Sequence, residues 1–102
     1  MDERSIIWSV TALSDLKKNL KFYRTRNGNW NYSFMFVSDV RNSLNLLSRF
    51  AWMGKKIQSH QHVRVLAKGN FSILYMISEA EINLLVFWDN RQDPEKLDKI
   101  LS

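Results

Sequence analysis

The stretch HQHVRVLAKGNFSILYMISEAEINLLVFWDNRQDPE, residues His60–Glu95, decides the fold of this chain. Its first part alternates apolar with polar residues, and the two runs that follow are apolar on both faces, which is typical of strands covered on at least one side. Lys68-Gly69-Asn70 and Glu79–Glu81 are short turns between these runs. We therefore predict an antiparallel meander of three strands, at His60–Ala67, Phe71–Ile77 and Ile82–Trp88.

The first strand of this meander presents two different faces. Its alternation places Val63, Val65 and Ala67 on one face. The opposite face carries His60, His62, Arg64, Leu66 and Lys68. Arg91 follows the third strand and could swing towards the same face. Imidazole and guanidinium groups gathered in this way could hold a phosphate and assist RNA cleavage by the substrate's own 2′-hydroxyl; a solvated basic sheet edge is the alternative.

The residues before the meander predict a strand and a helix. Ser5–Trp8 is a short run of β-branched and aromatic residues, which indicates an edge strand. Ser9 or Thr11 caps the helix that follows, and Gly28 ends it in a left-handed cap. Its predicted buried stripe is Leu13, Leu16, Leu20 and Tyr23.

A second helix is predicted from about Asn31 to Arg49, so that the two helices form a hairpin. Its predicted buried row is Phe36, Val40, Leu44 and Leu47. We assign the neighbouring aromatics to packing between the two helices: Trp30, Tyr32 and Phe34. The apolar loop Phe50–Gly54 must be covered by the fold or by a partner.

The end of the sequence predicts a short helix, with Asp93 as its cap and Pro94 in its first turn. Leu97, Ile100 and Leu101 would dock this helix or offer it to a partner. Because the helical hairpin can bury its stripes only against the sheet, we predict a two-layer α+β fold. Its order is N-terminal strand, helical hairpin, three-stranded antiparallel meander and short C-terminal helix.

Composition places the whole chain, residues 1–102, in one domain. Hydrophobic residues make up 45% and aromatic residues 13%, which is enough for one core. The absence of cysteine excludes disulfides and thiolate metal sites and fits a reducing cytoplasm. No apolar run reaches the roughly 18–20 residues of a membrane span. We therefore expect a cytoplasmic protein that does not contact the membrane.

The net charge of +5 is unevenly distributed. Residues 17–68 hold eleven Lys or Arg and one acid, Asp39, whereas residues 79–98 hold six acids and two cations. A polyanion or an acidic protein is the expected partner of the basic middle section. An ordinary solvated surface is the alternative.

Several kinds of chemistry find no support in the sequence. None of the three glycines lies in a phosphate-binding loop pattern. His60 and His62 could ligate a metal from one strand face, but no further ligand accompanies them. Neither a carboxylate pair nor a Ser-His-Asp arrangement is indicated. We predict no metal and no cofactor.

Segments distributed over nearly the whole chain resemble one known family. IIWSVTALSDLKK (residues 6–18), FYRTRNG (22–28) and MGKK (53–56) with HVRVLAKGNFSILY (62–75) occur in the order and spacing of its elements. INLLVFWDNRQDPEKL (82–97) is similar to its final strand followed by Trp-Asp, Arg-Gln, Pro and Lys-Leu. The chain thus resembles RelE/ParE-superfamily toxins of bacterial type II toxin–antitoxin systems.

The resemblance implies a toxin that an acidic antitoxin neutralises in a hetero-oligomer, through contacts that would include Trp52, Leu97 and Leu101. RelE-like members cleave mRNA on the ribosome, and ParE-like members poison DNA gyrase. For the RelE-like activity, Arg64 and Arg91 match two of the family's basic positions. Ser72 stands where a third cation is usual, and the final helix lacks the tyrosine of some nucleases.

Three functions follow from these residues. The first is a ribosome-dependent mRNA endonuclease, in which Arg64 and Arg91 hold the phosphate and His60 or His62 moves the proton. Cations of the basic section would contact RNA: Lys17, Lys18, Lys21, Lys55, Lys56 and Lys68. The second is a gyrase inhibitor without enzymatic activity. The third is a partner-binding domain that is not toxic, because the set of cations is incomplete.

Overall fold

The computed structural model describes residues 3–91, 95 and 99. Within this part of the chain, two helices pack on one sheet of five strands. The elements are β1 (Ser5–Trp8), α1 (Val10–Asn27), α2 (Asn31–Arg49), a 3₁₀ turn (Ala51–Met53), β2 (Lys55–Ile57), β3 (His60–Lys68), β4 (Phe71–Ile77) and β5 (Glu81–Asp89). The predicted α+β fold class is confirmed.

The strands lie in the order β1-β5-β4-β3-β2. β1 pairs in parallel with β5, and the other neighbours are antiparallel. The predicted edge position of Ser5–Trp8 is therefore correct. The predicted three-stranded meander is extended by β2, which pairs with β3 on the opposite edge. A strand of three residues, Lys-Lys-Ile, is too short to show alternation, so the sequence pattern did not reveal it.

Helix α1 begins and ends as predicted. The Ser9 hydroxyl accepts a hydrogen bond from the Ala12 amide at 3.0 Å, and Gly28 adopts a positive φ of 73°. The predicted buried stripe is wrong at Leu13, which is 39% exposed, whereas its neighbour Ala12 is fully buried. The buried side of the helix runs through Ala12, Asn19 and Tyr23.

A bulge in β5 explains how α1 is oriented on the sheet. The register between β4 and β5 shifts between Leu74 and Tyr75, so that Leu85 is an extra residue in β5. The Ser9 hydroxyl donates to the Leu85 carbonyl at 3.1 Å, and an Asp15 carboxylate oxygen accepts from the Phe87 amide at 3.2 Å. Because these bonds fix the rotation of α1, its inward side is set by polar residues as well as by leucines.

Helix α2 has the bounds that the sequence predicts, and its buried row is confirmed at Phe36, Val40 and Leu47, with Leu44 partly buried. The Phe36 ring lies 5.6 Å from that of Phe71 and 5.9 Å from that of Phe87. These contacts place α2 against the middle of the sheet.

The predicted inter-helix packing of the aromatics before and within α2 holds for one residue of three. Tyr32 packs on the core, but Trp30 is 49% exposed and Phe34 is 68% exposed. Phe34 faces solvent, whereas the half-exposed Trp30 ring lies 5.3 Å from the guanidinium carbon of Arg24 on α1.

The sheet is buried on both faces at its centre. Leu66, Ile73 and Phe87 are neighbours across β3, β4 and β5 and belong to the core beneath the helices. On the reverse face, Ser72 and Trp88 are neighbours and both are buried. The face of β3 that carries the histidines and Arg64 is thus the helix-packed face, although His60, His62 and Lys68 themselves are exposed.

Of the predicted C-terminal helix, the structure describes Glu95 and Lys99, and the Lys99 amide donates to the Glu95 carbonyl at 3.1 Å, as in a helical turn. Its predicted start, Asp93 and Pro94, falls outside the described residues. Within the described part of the chain, neither helix has the length and apolar character required to cross a bilayer.

Candidate functional site

The four residues predicted to be catalytic do not meet at one place. Arg64 is the cross-strand neighbour of Tyr75, and Asp89, which precedes Arg91 by two residues, is the neighbour of Phe71. Four residues along β4 separate the two positions by ~13 Å, at ~3.3 Å per residue. Arg91 follows the last residue of β5 by two positions.

Arg64 is bound to the 3₁₀ turn. Its Nη1 donates to the Trp52 carbonyl at 3.0 Å and to the Gly54 carbonyl at 2.8 Å. The guanidinium carbon also lies 5.1 Å from the centre of the Trp52 ring, a cation–π distance. Buried Nε has no hydrogen-bond partner among the described residues. Arg64 is therefore committed to holding the turn.

Tyr75 holds the same turn from below. Its side chain is fully buried; the hydroxyl accepts from the Gly54 amide at 2.9 Å and donates to the Ala51 carbonyl at 2.8 Å. Burial raises the pKa of Tyr75, partly offset by the Gly54 hydrogen bond and the Arg64 charge. A Cβ at Gly54 would clash with the hydroxyl and lie 2.9 Å from the Val65 carbonyl, so this close approach requires glycine.

Among the described residues, His60 and His62 do not form part of an assembled catalytic or metal site. His62 lies beside Trp52, with 6.2 Å between the ring centres. His60 is exposed at the start of β3 and is paired with Ile57. In the part of the chain that the structure describes, no group of three or more metal-ligating side chains forms around them.

Arg91 belongs to a second group of polar residues, at the C-terminal end of α1 and the N-terminal end of α2. Its Nη2 donates to the hydroxyls of Tyr23 and of Tyr32, the latter at 2.7 Å, and lies 3.5 Å from a carboxylate oxygen of Asp89. The Asp89 side chain is fully buried, and the Arg91 side chain is 48% exposed. Partial burial lowers the pKa of Arg91, but hydrogen bonds to Asp89 and Tyr32 outweigh this effect and raise it.

Arg91 and the two tyrosines line an open cleft of about 390 Å³. Two cations, two phenol groups and an amide face it, together with one half-exposed aromatic ring: Phe22, Tyr23, Arg26, Asn27, Tyr32 and Arg91. Donors of this kind suit a carboxylate or a phosphate.

Sequence reasoning missed the partners of Arg91. It assigned Tyr23 and Tyr32 to hydrophobic packing and gave Asp89 no role. The turn at Gly28 brings both tyrosines to the same end of the helical hairpin, where their rings lie 4.6 Å apart. The hydroxyl group of each tyrosine was the sequence feature that could have revealed these contacts, because a buried tyrosine hydroxyl requires a hydrogen-bond partner.

The six lysines predicted to contact RNA are all exposed, but they occupy three separate places. Lys17 and Lys21 border a shallow groove of about 650 Å³ on α1, next to Trp30, and Lys18 is on the same helix. Lys55 and Lys56 lie on the edge strand β2, and Lys68 is at the end of β3.

Trp52, predicted to contact an antitoxin, is 47% exposed. The other two residues of that prediction, Leu97 and Leu101, fall outside the described residues.

No protein-family model and no curated protein sequence matches this chain. Among solved structures, it is similar to a chain of one described as the chromosomal ParDE TA (toxin–antitoxin) system from P. aeruginosa. The TM-score is 0.70 at 22% sequence identity, and the match covers 85% of this chain and 96% of the other. At this identity the match shows a shared fold: the predicted α+β architecture is also that of a chain in the ParDE system.

Proposed function

We propose that this chain is the toxin of a type II toxin–antitoxin pair, and that it inhibits DNA gyrase by binding to it. Two likenesses support the toxin role: the sequence resembles RelE/ParE toxins, and the fold is similar to that of a chain in a ParDE system. Neutralisation by an antitoxin is part of the same proposal. We propose DNA gyrase as the target because ParE-like members of the resembled family inhibit that enzyme.

The observation that carries the choice of target is the separation of Arg64 from Arg91. A nuclease must stabilise charge and move a proton at one phosphate, which requires its groups to converge. Here Arg64 donates to two backbone carbonyls of the 3₁₀ turn and stands beyond the reach of Arg91. Ser72, at the third cation position, is fully buried and donates to the Asn90 side chain at 2.7 Å. Binding without catalysis needs no such convergence.

Cleavage of mRNA on the ribosome is the second candidate, favoured by the cleft around Arg91. A phosphate there would face Arg91 and Arg26, with the hydroxyls of Tyr23 and Tyr32 as the groups able to transfer a proton. In this version of the nuclease hypothesis, tyrosine takes the role that the sequence assigned to His60 or His62.

Two parallel assays of the purified chain separate the candidates. Gyrase inhibition predicts loss of plasmid supercoiling and trapped gyrase–DNA cleavage complexes, while a cell-free translation reaction yields full-length protein and intact mRNA. Cleavage of mRNA within codons, with supercoiling unaffected, would select the nuclease instead. If both reactions proceed normally and expression of the chain alone leaves growth unchanged, the toxin proposal itself fails.

Substitution of Arg91 by methionine tests the same choice in cells. The nuclease hypothesis predicts that Arg91→Met abolishes growth arrest, because the phosphate loses its main cation. Gyrase inhibition predicts that arrest persists in Arg91→Met, provided that soluble protein accumulates to the level of the parent chain. Growth curves with matched immunoblots provide the measurement, and a fully inactive, well-folded Arg91→Met protein would count against gyrase.

A further inference from the structure

Three large apolar side chains project into solvent at the 3₁₀ turn, one from the residue immediately before it and two from within it. Phe50, Trp52 and Met53 are 55%, 47% and 45% exposed, whereas Ala51 between them is buried. We call these three residues the exposed triad. Single exposed apolar residues are ordinary on protein surfaces, but neighbouring ones on one turn form a patch.

Four hydrogen bonds from two side chains hold the backbone that carries the exposed triad. Tyr75 bonds to Ala51 and Gly54, and Arg64 bonds to the carbonyls of Trp52 and Gly54. Solubility would favour polar side chains on a turn that served only as a connection. A fixed turn that displays apolar groups instead reduces the entropy lost when a partner binds.

The surroundings of the exposed triad are basic. Lys55 and Lys56 follow it on the edge strand and are exposed. The charge of Arg64 lies over the Trp52 ring, so that the aromatic anchor has a cation at its face. These charges favour a partner that is acidic around an apolar centre.

A cavity of about 460 Å³ adjoins the exposed triad beside Trp52. Its lining includes His62 and the largely buried side chain of Ile77, the last residue of the central strand β4, with Arg4 and Glu79 also present. The cavity is large enough to accept an apolar side chain of a partner, and Trp52 would pack against that side chain.

We infer that the exposed triad is the anchor at which an acidic protein segment with large apolar side chains binds, and that this segment belongs to the antitoxin. The identity of the partner rests on the proposed function; the chemistry of the segment rests on the triad and its cations. A nucleic acid fits this surface less well, because the side chains of Phe50 and Met53 have no group that can bind a phosphate.

The test uses the full chain and the protein encoded by the neighbouring gene, which is the candidate antitoxin, in a calorimetric titration. Trp52→Ser should weaken the complex by ~30-fold or more, as the loss of a buried aromatic anchor does, and Trp52→Phe should retain most of the affinity. The matched control is Phe34→Ser, on α2, where the apolar side chain is even more exposed at 68%. It should change the affinity by less than ~3-fold, as expected for a residue outside the anchor.

The outcomes separate this inference from the proposed function. Equal effects of Trp52→Ser and Phe34→Ser, with both proteins melting like the parent chain, would overturn the anchor while leaving a toxin–antitoxin pair intact. Loss of growth arrest in Trp52→Ser with unchanged antitoxin affinity would assign the triad to the toxin's target and also overturn it. If the parent chain forms no complex at all, the proposed pairing fails and the inference fails with it.

Discussion

The hydroxyl group of Tyr75 shows how one buried atom can determine the shape of a surface turn. It bonds to the Ala51 carbonyl and the Gly54 amide at the two ends of the 3₁₀ turn. Both backbone groups would lack a partner without it, and an unpaired buried polar group costs about 1–3 kcal/mol. The sequence shows Tyr75 only as an apolar residue within a strand, because its hydrogen-bond partners lie more than 20 residues away.

Replacing Tyr75 with phenylalanine should therefore destabilise the protein. We expect Tyr75→Phe to lower the free energy of unfolding by about 2–3 kcal/mol, because the Gly54 amide and the Ala51 carbonyl lose their partner. Urea denaturation followed by circular dichroism measures this change. Tyr32→Phe is the control; its hydroxyl bonds to half-exposed Arg91, so its loss should cost less than ~1 kcal/mol. Equal losses in the two variants would contradict this account of the turn.

The same hydroxyl predicts a dependence on alkaline pH. Burial raises the pKa of Tyr75 above its ordinary value of 10.0, so near that pH the unfolded chain releases the phenol proton while the folded chain retains it. The stability that this group contributes is complete below pH 10 and declines as the pH rises through the folded-state pKa.

The stability difference between the parent chain and Tyr75→Phe should accordingly narrow above pH 10. Urea midpoints of both proteins between pH 7 and pH 11 provide the comparison, in which the titration of all other groups cancels. A difference that stays constant across this range would show that Tyr75 ionises equally in both states.

At the scale of secondary structure, the sequence correctly predicted those features that depend on neighbouring residues. The Ser9 cap, the left-handed Gly28 and the bounds of α2 follow from residues within a few positions of each element. The strand β2 did not follow, because three residues acquire strand structure only through their partner β3.

The rotation of α1 also has a distant cause. Asp15 accepts a hydrogen bond from the amide of Phe87, next to the bulge in β5, 72 residues away along the chain. The spacing of leucines in α1 does not indicate this contact. The predicted buried stripe of the helix was therefore wrong at Leu13.

Asp15→Ala tests the link between α1 and β5. We expect it to lower the free energy of unfolding by about 1–2 kcal/mol, because a part-buried backbone amide loses its side-chain acceptor. Asp39→Ala, on the exposed side of α2, is the control and should change stability by less than ~0.5 kcal/mol. Thermal or urea denaturation of the two variants gives the comparison; similar effects would mean that the bulge is held by other contacts.

On the scale of the whole molecule, the sequence predicted the fold class correctly. It also predicted that Arg64 and Arg91 would meet at one site, whereas the structure keeps them apart. Period-2 alternation correctly placed the β3 cations on one face, but it could not show that Arg64 would turn towards the carbonyls of Trp52 and Gly54. Likewise, the position of Arg91 after β5 gave no indication of Tyr23 and Tyr32, which two helices bring to it. Side-chain direction at the ends of elements depends on tertiary partners, which periodicity does not describe.

This distribution of charge is the basis for proposing a toxin that binds its target without cutting RNA. The most direct measurement is a supercoiling assay with purified DNA gyrase, ATP, relaxed plasmid and a molar excess of the purified chain. The account predicts that supercoiled product is lost and that linear plasmid appears after denaturation with detergent and protease, as expected for trapped cleavage complexes. Full supercoiling at the highest concentration of a correctly folded chain would contradict it.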